Sequence, residues 1–337
     1  MAIRRDTWGR REFLGGMAGT AGLLSLERLA GADPPPETSR LRLARITDLC
    51  LAAPQQVAED LLRSEGFSDI EYVETGGGTA RYKAVADGQV DLSVATGAPL
   101  IIRVDAGDPI MLLAGLHVGC FELFATERIR SVRDLKGKTV AVTGLGTGRH
   151  VFLASMAAHV GLDPRRDFKW VTSPAAESMP LFAEGKIDAF MGFPPEPQEL
   201  RARKVGHVIV NTSVDRPWSQ YFCCMVFAHR DFVQRHPVAA KRALRAFLKA
   251  ANVCAVEPER GARLVVDRGL ATSYDQVLRT LKDVPFGRLW DTGAQDTIRF
   301  YALRLHEAGL IKSSPQKILA QGTDWRFLNE LRRELKG

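Results

Sequence analysis

The sequence predicts an α/β protein made of two similar lobes, each containing a parallel-type sheet. Strand patterns alternate with helix patterns along most of the chain, which indicates parallel strands joined by crossover helices. Two segments, "AVADGQVDLSVATGAP" and "LFAEGKIDAFMGFPPEP", share a helix end, a glycine, an apolar residue before Asp, a strand and a turn with proline. The chain has 337 residues, whereas single hydrophobic cores stop growing at roughly 250 to 300 residues. Two lobes therefore fit the chain better than one.

The first set of elements follows the proline-rich segment "ADPPPETSR". Alternating apolar and polar residues predict a strand over 41–48, and apolar residues at helical spacing predict the helix "PQQVAEDLLRSEG". The set is completed by a strand "IEYVET", a short helix "TARYKAVADGQ" and a buried strand "VDLSVATGAPL" that runs into a turn.

The second set begins with a strand over 139–143, a glycine-rich turn and a helix over about 150–160. It continues with the strand "FKWVTS", the helix "AAESMPLFAEGK" and the strands "IDAFMGF" and "VGHVIVN". From Asp231 onward the pattern is helical, with "DTIRFYALRLHEAGL" as a clear amphipathic segment.

Two long apolar runs, 110–126 and 219–229, interrupt the alternation. We expect them to be the two hinge crossings between the lobes. Lobe one would then comprise 40–120 and 222–337, and lobe two would comprise 121–221.

The first 32 residues have the three zones of an export signal: a basic start, a short apolar middle and a small-residue end. The apolar zone, 15–26, is shorter than the roughly 20 residues of a membrane-spanning helix. "RREFL", with Arg10 and Arg11, resembles the core of a twin-arginine signal. A basic, frayed N-terminus is the alternative. Cleavage near Ala32 would release a soluble periplasmic protein.

The charge is mildly positive and evenly spread. The whole chain carries +7, and about +5 remains without the signal, which holds five arginines against three acidic residues. A nucleic-acid-binding surface would gather these charges into a stripe, so no nucleic-acid partner is predicted. The excess favours an anionic small molecule.

Five cysteines, with only Cys223 and Cys224 adjacent, show no zinc-type spacing with each other or with histidine. We therefore predict no metal and no cofactor. Buried, inert thiols are the usual state of such residues. A disulfide between Cys50 and Cys120 stays open as an alternative.

Four segments resemble ABC-transporter periplasmic substrate-binding proteins of the nitrate/sulfonate/taurine family, which includes pyrimidine-precursor binders. They are "GQVDLSVATGAP", "SVRDLKGKTVAVTGLGTGRHVFLASMAAHVGLDPRRDFKWV", "FAEGKIDAFMGFPPEP" and "FAHRDFVQRHPVAAKRALRAFLKA", within about 40–275. The resemblance implies the type II periplasmic binding protein fold, a monomeric two-lobe clamp that delivers a small solute to a membrane permease.

Candidate ligand-binding residues follow from the direction of the strands. In open α/β sheets the ligand lies beyond the carboxyl ends of the strands, so we select the residues that follow each strand. Aromatic residues before the second crossing are added because aromatic walls suit organic ligands. The candidates are Asp48, Leu49, Gly76, Gly77, Gly78, Thr79, Arg81, Thr96, Gly97 and Ala98 in lobe one, Gly146, Thr147, Gly148, Arg149, His150 and Phe193 in lobe two, and Trp218 and Tyr221.

The glycine-rich segments "TGLGTGRH" and "ETGGGTAR" each lead into a helix, where free backbone N–H groups can bind an anionic group. Their spacing fits neither a dinucleotide fingerprint nor a P-loop. Tight turns without a ligand are the alternative. Arg81, Arg149 or His150 could pair with the anion, or could be ordinary polar residues on their helices.

Asp48 could accept a ligand N–H or cap the next helix. Trp218 and Tyr221 are favoured over Phe222 because alternation along a strand turns Phe222 the other way.

An enzyme is the alternative function. "FCCMVFAHRDFVQRHP" is similar to the cysteine-rich strand of fungal-type pyrimidine synthases, but it has fewer cysteines. The segment "DLCLAAPQQ" lacks the lysine or histidine that such chemistry would need there. No Ser-His-Asp set or carboxylate pair is evident. We therefore expect a binding protein for a sulfonate, nitrate, carboxylate or related anion, with a pyrimidine precursor as the alternative ligand.

Overall fold

The structure, a computed structural model, describes residues 33–336, where strands and helices alternate as the sequence predicts. The export signal predicted over 1–32 lies outside the described residues. The strands are β1 (Arg40–Ala44), β2 (Asp69–Val73), β3 (Leu92–Thr96), β4 (Ile110–Val118), β5 (Glu122–Ala125), β6 (Thr139–Val142), β7 (Lys169–Thr172), β8 (Ala189–Gly192), β9 (His207–Asn211) and β10 (Phe222–His229).

The helices follow the strands in the first two thirds of the chain and dominate the last third. They are α1 (Leu49–Ser64), α2 (Thr79–Ala86), α3 (Gly97–Asp105), α4 (Gly148–His159), α5 (Ala175–Ala183), α6 (Glu196–Arg203), α7 (Arg230–Arg235), α8 (Pro237–Val256), α9 (Pro258–Asp267), α10 (Tyr274–Asp283), α11 (Ala294–Glu307), α12 (Pro315–Gly322) and α13 (Arg326–Lys336). None of the described helices combines the length and the apolar character that a membrane span requires.

The strands form two five-stranded sheets. The first has the order β2-β1-β3-β10-β4 and the second has the order β7-β6-β8-β5-β9. Strands β1, β2 and β3 are parallel, as are β6, β7 and β8. This confirms the predicted α/β class with two sheets.

One strand in each sheet runs against its neighbours, which the sequence analysis did not predict. Strand β10 is antiparallel to β3 and β4, and β5 is antiparallel to β8 and β9. Each reversed strand starts beside the carboxyl end of a parallel neighbour: Cys224 pairs with Thr96, and Glu122 pairs with Gly192. Both reversed strands therefore begin at the edge of their sheet where the parallel strands end.

The passages between the sheets are shorter than the apolar runs in the sequence. Most of 110–126 and 219–229 belongs to β4, β5 and β10, and the chain passes between the sheets at 119–121 and 212–221. These runs are apolar because they supply buried strands to both sheets.

Two helix boundaries differ from the prediction. Helix α1 begins at Leu49 and contains Pro54, whereas the sequence predicts a helix that begins at this proline. Helix α3 replaces the turn expected after Thr96, because Pro99 lies in its first turn, where a missing N–H leaves no hydrogen bond unmade.

The main hydrophobic core includes residues of both sheets and of the C-terminal helices. Helix α8 packs on α1, and both helices bury alanines that permit a close approach. A second, smaller core belongs to the second sheet and consists of Phe124, Ala141, Met179, Phe182, Ile187, Phe190 and Leu200.

Candidate functional site

A cavity of about 210 Å³ lies between the two sheets, at the carboxyl ends of their parallel strands. It is smaller than the roughly 300 to 1,000 Å³ of pockets that hold drug-sized ligands. We call it the cleft, and its lining residues are Asp48, Leu51, Gly78, Arg81, Tyr82, Thr96, Phe121, Thr143, Thr147, Gly148, Arg149 and Phe193.

Four helices begin at the cleft. The N-cap residues of α1, α2, α3 and α4 are Asp48, Gly78, Thr96 and Thr147, and all four line the cavity. None of the four makes a side-chain capping hydrogen bond among the described residues, and none of the four helices has an acidic residue in its first turn. The first N–H groups of a helix lack partners within the helix, and the helix dipole makes this end positive. The cleft therefore has a positive backbone surface.

Arg81 is buried against the first sheet beside Asp48. Its Nη2 donates to Asp48 Oδ2 at 2.7 Å, and its Nη1 donates to the Val94 carbonyl at 3.4 Å. Only 6% of the Arg81 side chain is exposed, against 39% for Asp48, so Arg81 is not an ordinary surface arginine. Its Nε has no acceptor among the described residues.

Two hydroxyl groups lie next to this pair. Tyr82 Oη and Thr96 Oγ1 share a hydrogen bond of 2.8 Å. Burial raises the pKa of Tyr82 to about 12, so the phenol keeps its proton at neutral pH. These groups can donate to or accept from a ligand without adding charge.

Both terminal nitrogens of Arg149, which lies in α4, donate to groups at the end of β8 and the start of α6. Its Nη1 and Nη2 donate to Glu196 Oε2 and Oε1 at 2.7 and 2.9 Å, and Nη1 also donates to the Met191 carbonyl at 3.0 Å. Glu196 Oε2 accepts the N–H of Phe193 at 2.8 Å as well. Arg149 therefore fixes the turn after β8, and its charge is balanced inside the protein.

His150 is a neutral hydrogen-bond acceptor. Its Nδ1 accepts the N–H of Gly146 at 3.2 Å, and its ring packs edge-on against Trp170. Burial lowers the pKa of His150 to about 4. At neutral pH the ring carries no positive charge, so the ionic role considered for His150 does not fit its environment.

The two halves of the cleft touch at glycines. A Cβ atom on Gly148 would lie 2.7 Å from Thr96 Oγ1, across the cleft. A Cβ on Gly78 would lie 3.7 Å from Thr147 Cγ2, and one on Gly146 would lie 3.7 Å from Thr79 Cγ2. The glycine at 148 therefore has a steric role, since a side chain would hold the two halves apart.

The cleft brings together part of the predicted set. Eight candidates line it: Asp48, Gly78, Arg81, Thr96, Thr147, Gly148, Arg149 and Phe193. Ten are not among the lining residues: Leu49, Gly76, Gly77, Thr79, Gly97, Ala98, Gly146, His150, Trp218 and Tyr221.

Four lining residues were missed by the sequence analysis: Leu51, Tyr82, Phe121 and Thr143. Thr143 directly follows β6, but the sequence predicts a strand that extends through this residue, so the strand-end rule did not select it. Leu51 and Tyr82 lie in the first turns of α1 and α2, and Phe121 lies in a passage between the sheets.

The aromatic wall differs from the expected one. Tyr221 stacks on Phe300 with ring centres 4.0 Å apart, and Trp218 packs edge-on against the same ring at 5.6 Å. Helix α11 therefore occupies the positions where a ligand was expected. Phe121 and Phe193, with ring centres 5.0 Å apart, line the cleft instead.

The cysteines, distant in the sequence, converge in space. Cys120 Sγ lies 2.6 Å from Cys223 Sγ, and Cys224 Sγ lies 3.7 Å from Cys223 Sγ. Ligand atoms of His117, Cys120 and Cys224 lie within 4.8 Å of one another. All five cysteines are free thiols, so the bond considered between Cys50 and Cys120 is not present in this structure.

Solved structures with the same fold include transport proteins and an enzyme. The periplasmic nitrate-binding protein NrtA from Synechocystis PCC 6803 aligns with a TM-score of 0.71 and 17% identity over 90% of each chain. The alkanesulfonate-binding protein SsuA from Xanthomonas axonopodis pv. citri, bound to MOPS, gives 0.66 and 18% over 88% of this chain and 100% of that one. The desulfurization enzyme DSZB gives 0.59 and 15% over 88% of this chain and 99% of that one.

These similarities confirm the predicted two-lobe periplasmic binding protein fold. A comparison with curated proteins by sequence gives no match. The model of the NMT1-like family matches residues 34–266, which is well over half of the chain. The chain therefore belongs to the NMT1-like family.

Proposed function

We propose that this chain is the substrate-binding component of an ABC importer, which captures a small organic anion in the cleft and delivers it to a membrane permease. The observation that carries the proposal is the convergence of four uncapped helix N-termini on one cavity. The similarity to nitrate- and sulfonate-binding proteins supports the same role.

The charge balance of the cleft favours an anion held by backbone groups. The two arginines are each paired with a carboxylate of the protein, Arg81 with Asp48 and Arg149 with Glu196. The positive helix ends remain, and each can stabilise a partly buried anion by up to about 2 kcal/mol. Arg81 Nε–H is one further donor without an acceptor among the described residues.

The shape of the cleft favours a short organic body. Leu51, Phe121 and Phe193 add apolar surface beside the polar groups, and the volume of about 210 Å³ favours a small ligand. A sulfonate or carboxylate on a small carbon skeleton satisfies both features. Nitrate would leave the apolar surface without contact.

The two lobes of the proposed clamp are 40–120 with 222–337, and 121–221. The passages at 119–121 and 212–221 would act as the hinge. Contact between Gly148 and Thr96 across the cleft supports the assignment of this structure to the closed form. Ligand binding would shift the population toward that form.

The proposal includes the route to the working compartment. The "RREFL" motif supports export by the twin-arginine route and removal of residues 1–32. The released protein would act in the periplasm as a monomer, with the permease as its protein partner and no nucleic acid.

An enzyme of the same fold is the second candidate, because DSZB shares the fold. Among the described residues that line the cleft there is no cysteine or histidine, so the usual nucleophile–base pairs are missing there. A binder would return its solute unchanged, whereas an enzyme would consume it.

A thermal-shift screen tests the function. Short alkanesulfonates, small carboxylates, nitrate and pyrimidine precursors would be compared with amines and amides of matched carbon skeleton. We expect one or more organic anions to raise the melting temperature, because a ligand at about 100 times its Kd stabilises the folded state by about 2.7 kcal/mol. Mass spectrometry should recover that ligand unchanged. Stabilisation by the amines alone, or turnover of the ligand, would contradict the proposal.

Gly148→Ala tests closure of the cleft. The new Cβ would lie 2.7 Å from Thr96 Oγ1, so the closed form should become strained. The affinity for the anion should fall by at least about tenfold, and a tenfold change corresponds to about 1.4 kcal/mol. Gly77→Ala is the matched control, since no atom lies within 4 Å of its Cβ position. Calorimetry would measure affinity and circular dichroism would verify folding. Equal affinity in both variants would refute closure at Gly148.

The neutral state of His150 has a consequence for stability. The folded pKa of about 4 lies below the unfolded value of about 6.5. The contribution of neutral His150 to the stability of the folded state is therefore fully present above pH 6.5 and is lost as the pH falls toward 4. The His150→Gln variant has no titrating group at this position. The unfolding free energy of the wild type relative to this variant, measured with urea, should therefore fall between pH 7 and pH 4.5. A difference independent of pH would show that the ring is not held neutral by burial.

A further inference from the structure

Four buried cysteines, Cys50, Cys120, Cys223 and Cys224, meet near the point where the chain leaves and re-enters the first sheet. Cys120 lies between β4 and β5, and Cys223 is the second residue of β10. Their Sγ atoms are 2.6 Å apart, little more than the roughly 2.05 Å of a disulfide bond. The Sγ atom of Cys224 lies 3.7 Å from that of Cys223. We propose that Cys120 and Cys223 form a disulfide bond that joins the passage at 119–121 to the start of β10.

The backbone around this pair already holds the two passages together. Thr212 Oγ1 accepts the N–H groups of Cys120 and Phe121 at 3.1 and 2.9 Å. Gly119 has φ of +50°, and a Cβ there would lie 2.4 Å from Ser213 Cα. The two passages are therefore in direct contact, and a bond between the sulfur atoms requires only a small movement.

The proposed bond would enclose the whole second sheet. Strands β5 to β9 all lie between Cys120 and Cys223 in the sequence, so the bond would close a covalent loop at the base of lobe two. A cross-link that closes a loop of about 100 residues removes much of the freedom of the unfolded chain. It would also restrict how far the two passages can separate when the cleft opens.

A shared metal ion explains this pair of sulfur atoms less well. Two thiolates on one tetrahedral zinc ion, with Zn–S bonds of about 2.3 Å, are about 3.8 Å apart. The distance of 2.6 Å between Cys120 and Cys223 is much shorter. The group of His117, Cys120 and Cys224 has a looser spacing, within 4.8 Å, and metal binding there is an outcome that the test must distinguish.

The reaction is a thiol–disulfide exchange with an external disulfide such as oxidised glutathione. The Cys120 thiolate, after losing its proton to solvent, attacks one sulfur of the oxidant and releases one thiol. The Cys223 thiolate then attacks the mixed disulfide and releases the second thiol. The protein loses two electrons and two protons, and the oxidant becomes two thiols.

Access to the pair depends on opening of the cleft. Cys120 is 5% exposed and Cys223 is 1% exposed, and burial raises the pKa of both thiols well above the ordinary value. Both are therefore protonated and unreactive while the passages are closed. Cys120 adjoins Phe121, which lines the cleft, so opening would expose Cys120 first.

The inference that the bond forms in the cell rests on the proposed export to an oxidising compartment. The chemistry itself can be tested with the purified chain and without any ligand. If no disulfide forms, the result of the anion screen is therefore unaffected. If no anion stabilises the protein, the result of the disulfide test is unaffected.

The test compares the protein after oxidised glutathione and after dithiothreitol. Free thiols would be alkylated under denaturing conditions, and non-reduced peptides would be mapped by mass spectrometry. We expect a Cys120–Cys223 cross-link, two fewer alkylated thiols and a melting temperature higher by about 5 to 10 °C in the oxidised protein. Cys120→Ser and Cys223→Ser should each abolish this difference.

Cys254→Ser is the matched control, because Cys254 is a buried cysteine in α8 outside the cluster. It should retain the cross-link and the temperature difference. A bond to Cys50 or Cys224, a stable glutathione adduct, or fully reduced thiols with stoichiometric zinc would each overturn the proposal. The peptide map of the wild type decides the question even where a serine variant fails to fold.

Discussion

The direction of the parallel strands is the constraint on which the site depends. Strands β1, β2 and β3 of one sheet and β6 of the other end at the cleft, and each leads into a helix that begins there. Four helix N-termini therefore point at one small volume. Such a concentration of backbone donors requires close approach of the two halves, which explains why Gly148 faces Thr96 without room for a side chain.

The charged side chains at the cleft have a structural role in this arrangement. Arg149 makes a bidentate pair with Glu196, and the side chains are 12% and 13% exposed. Breaking such a pair by removing one partner commonly costs roughly 3 to 5 kcal/mol, because the other charge stays buried. Loss of binding in an Arg149 variant would therefore report on the turn after β8 as much as on contact with a ligand. In the function that we propose, the backbone would supply most of the recognition of the anion, while Phe121 and Phe193 would restrict its shape.

The sequence was sufficient for the features that depend on local pattern. Alternation of strands and helices predicted the fold class, and the strand-end rule located seven of the lining residues, including Gly148. The eighth, Arg81, was predicted as a cationic partner for an anion. Pairings between distant residues had no local signal: Asp48 and Arg81 are 33 positions apart, and Arg149 and Glu196 are 47 apart. In the structure these pairs neutralise the charges of Arg81 and Arg149, which the sequence had suggested as partners of an anion.

The aromatic residues and the cysteines show the same limit. Alternation suggested that Tyr221 faces the ligand, but Phe300 of a helix about 80 positions later covers it. Cys120 and Cys223 are separated by 103 positions, and only the fold of both sheets brings them together. Properties that depend on which elements pack together could not be predicted from periodicity and spacing.

A crystal structure with the anion that stabilises the protein best would test the central claim directly. We predict that the acidic group lies in the cleft, with its oxygen atoms about 2.7 to 3.2 Å from N–H groups in the first turns of α1 to α4. Arg149 should keep its contacts with Glu196. An anion bound outside the cleft, or one held by arginine side chains with the helix N-termini out of reach, would contradict recognition by the helix N-termini.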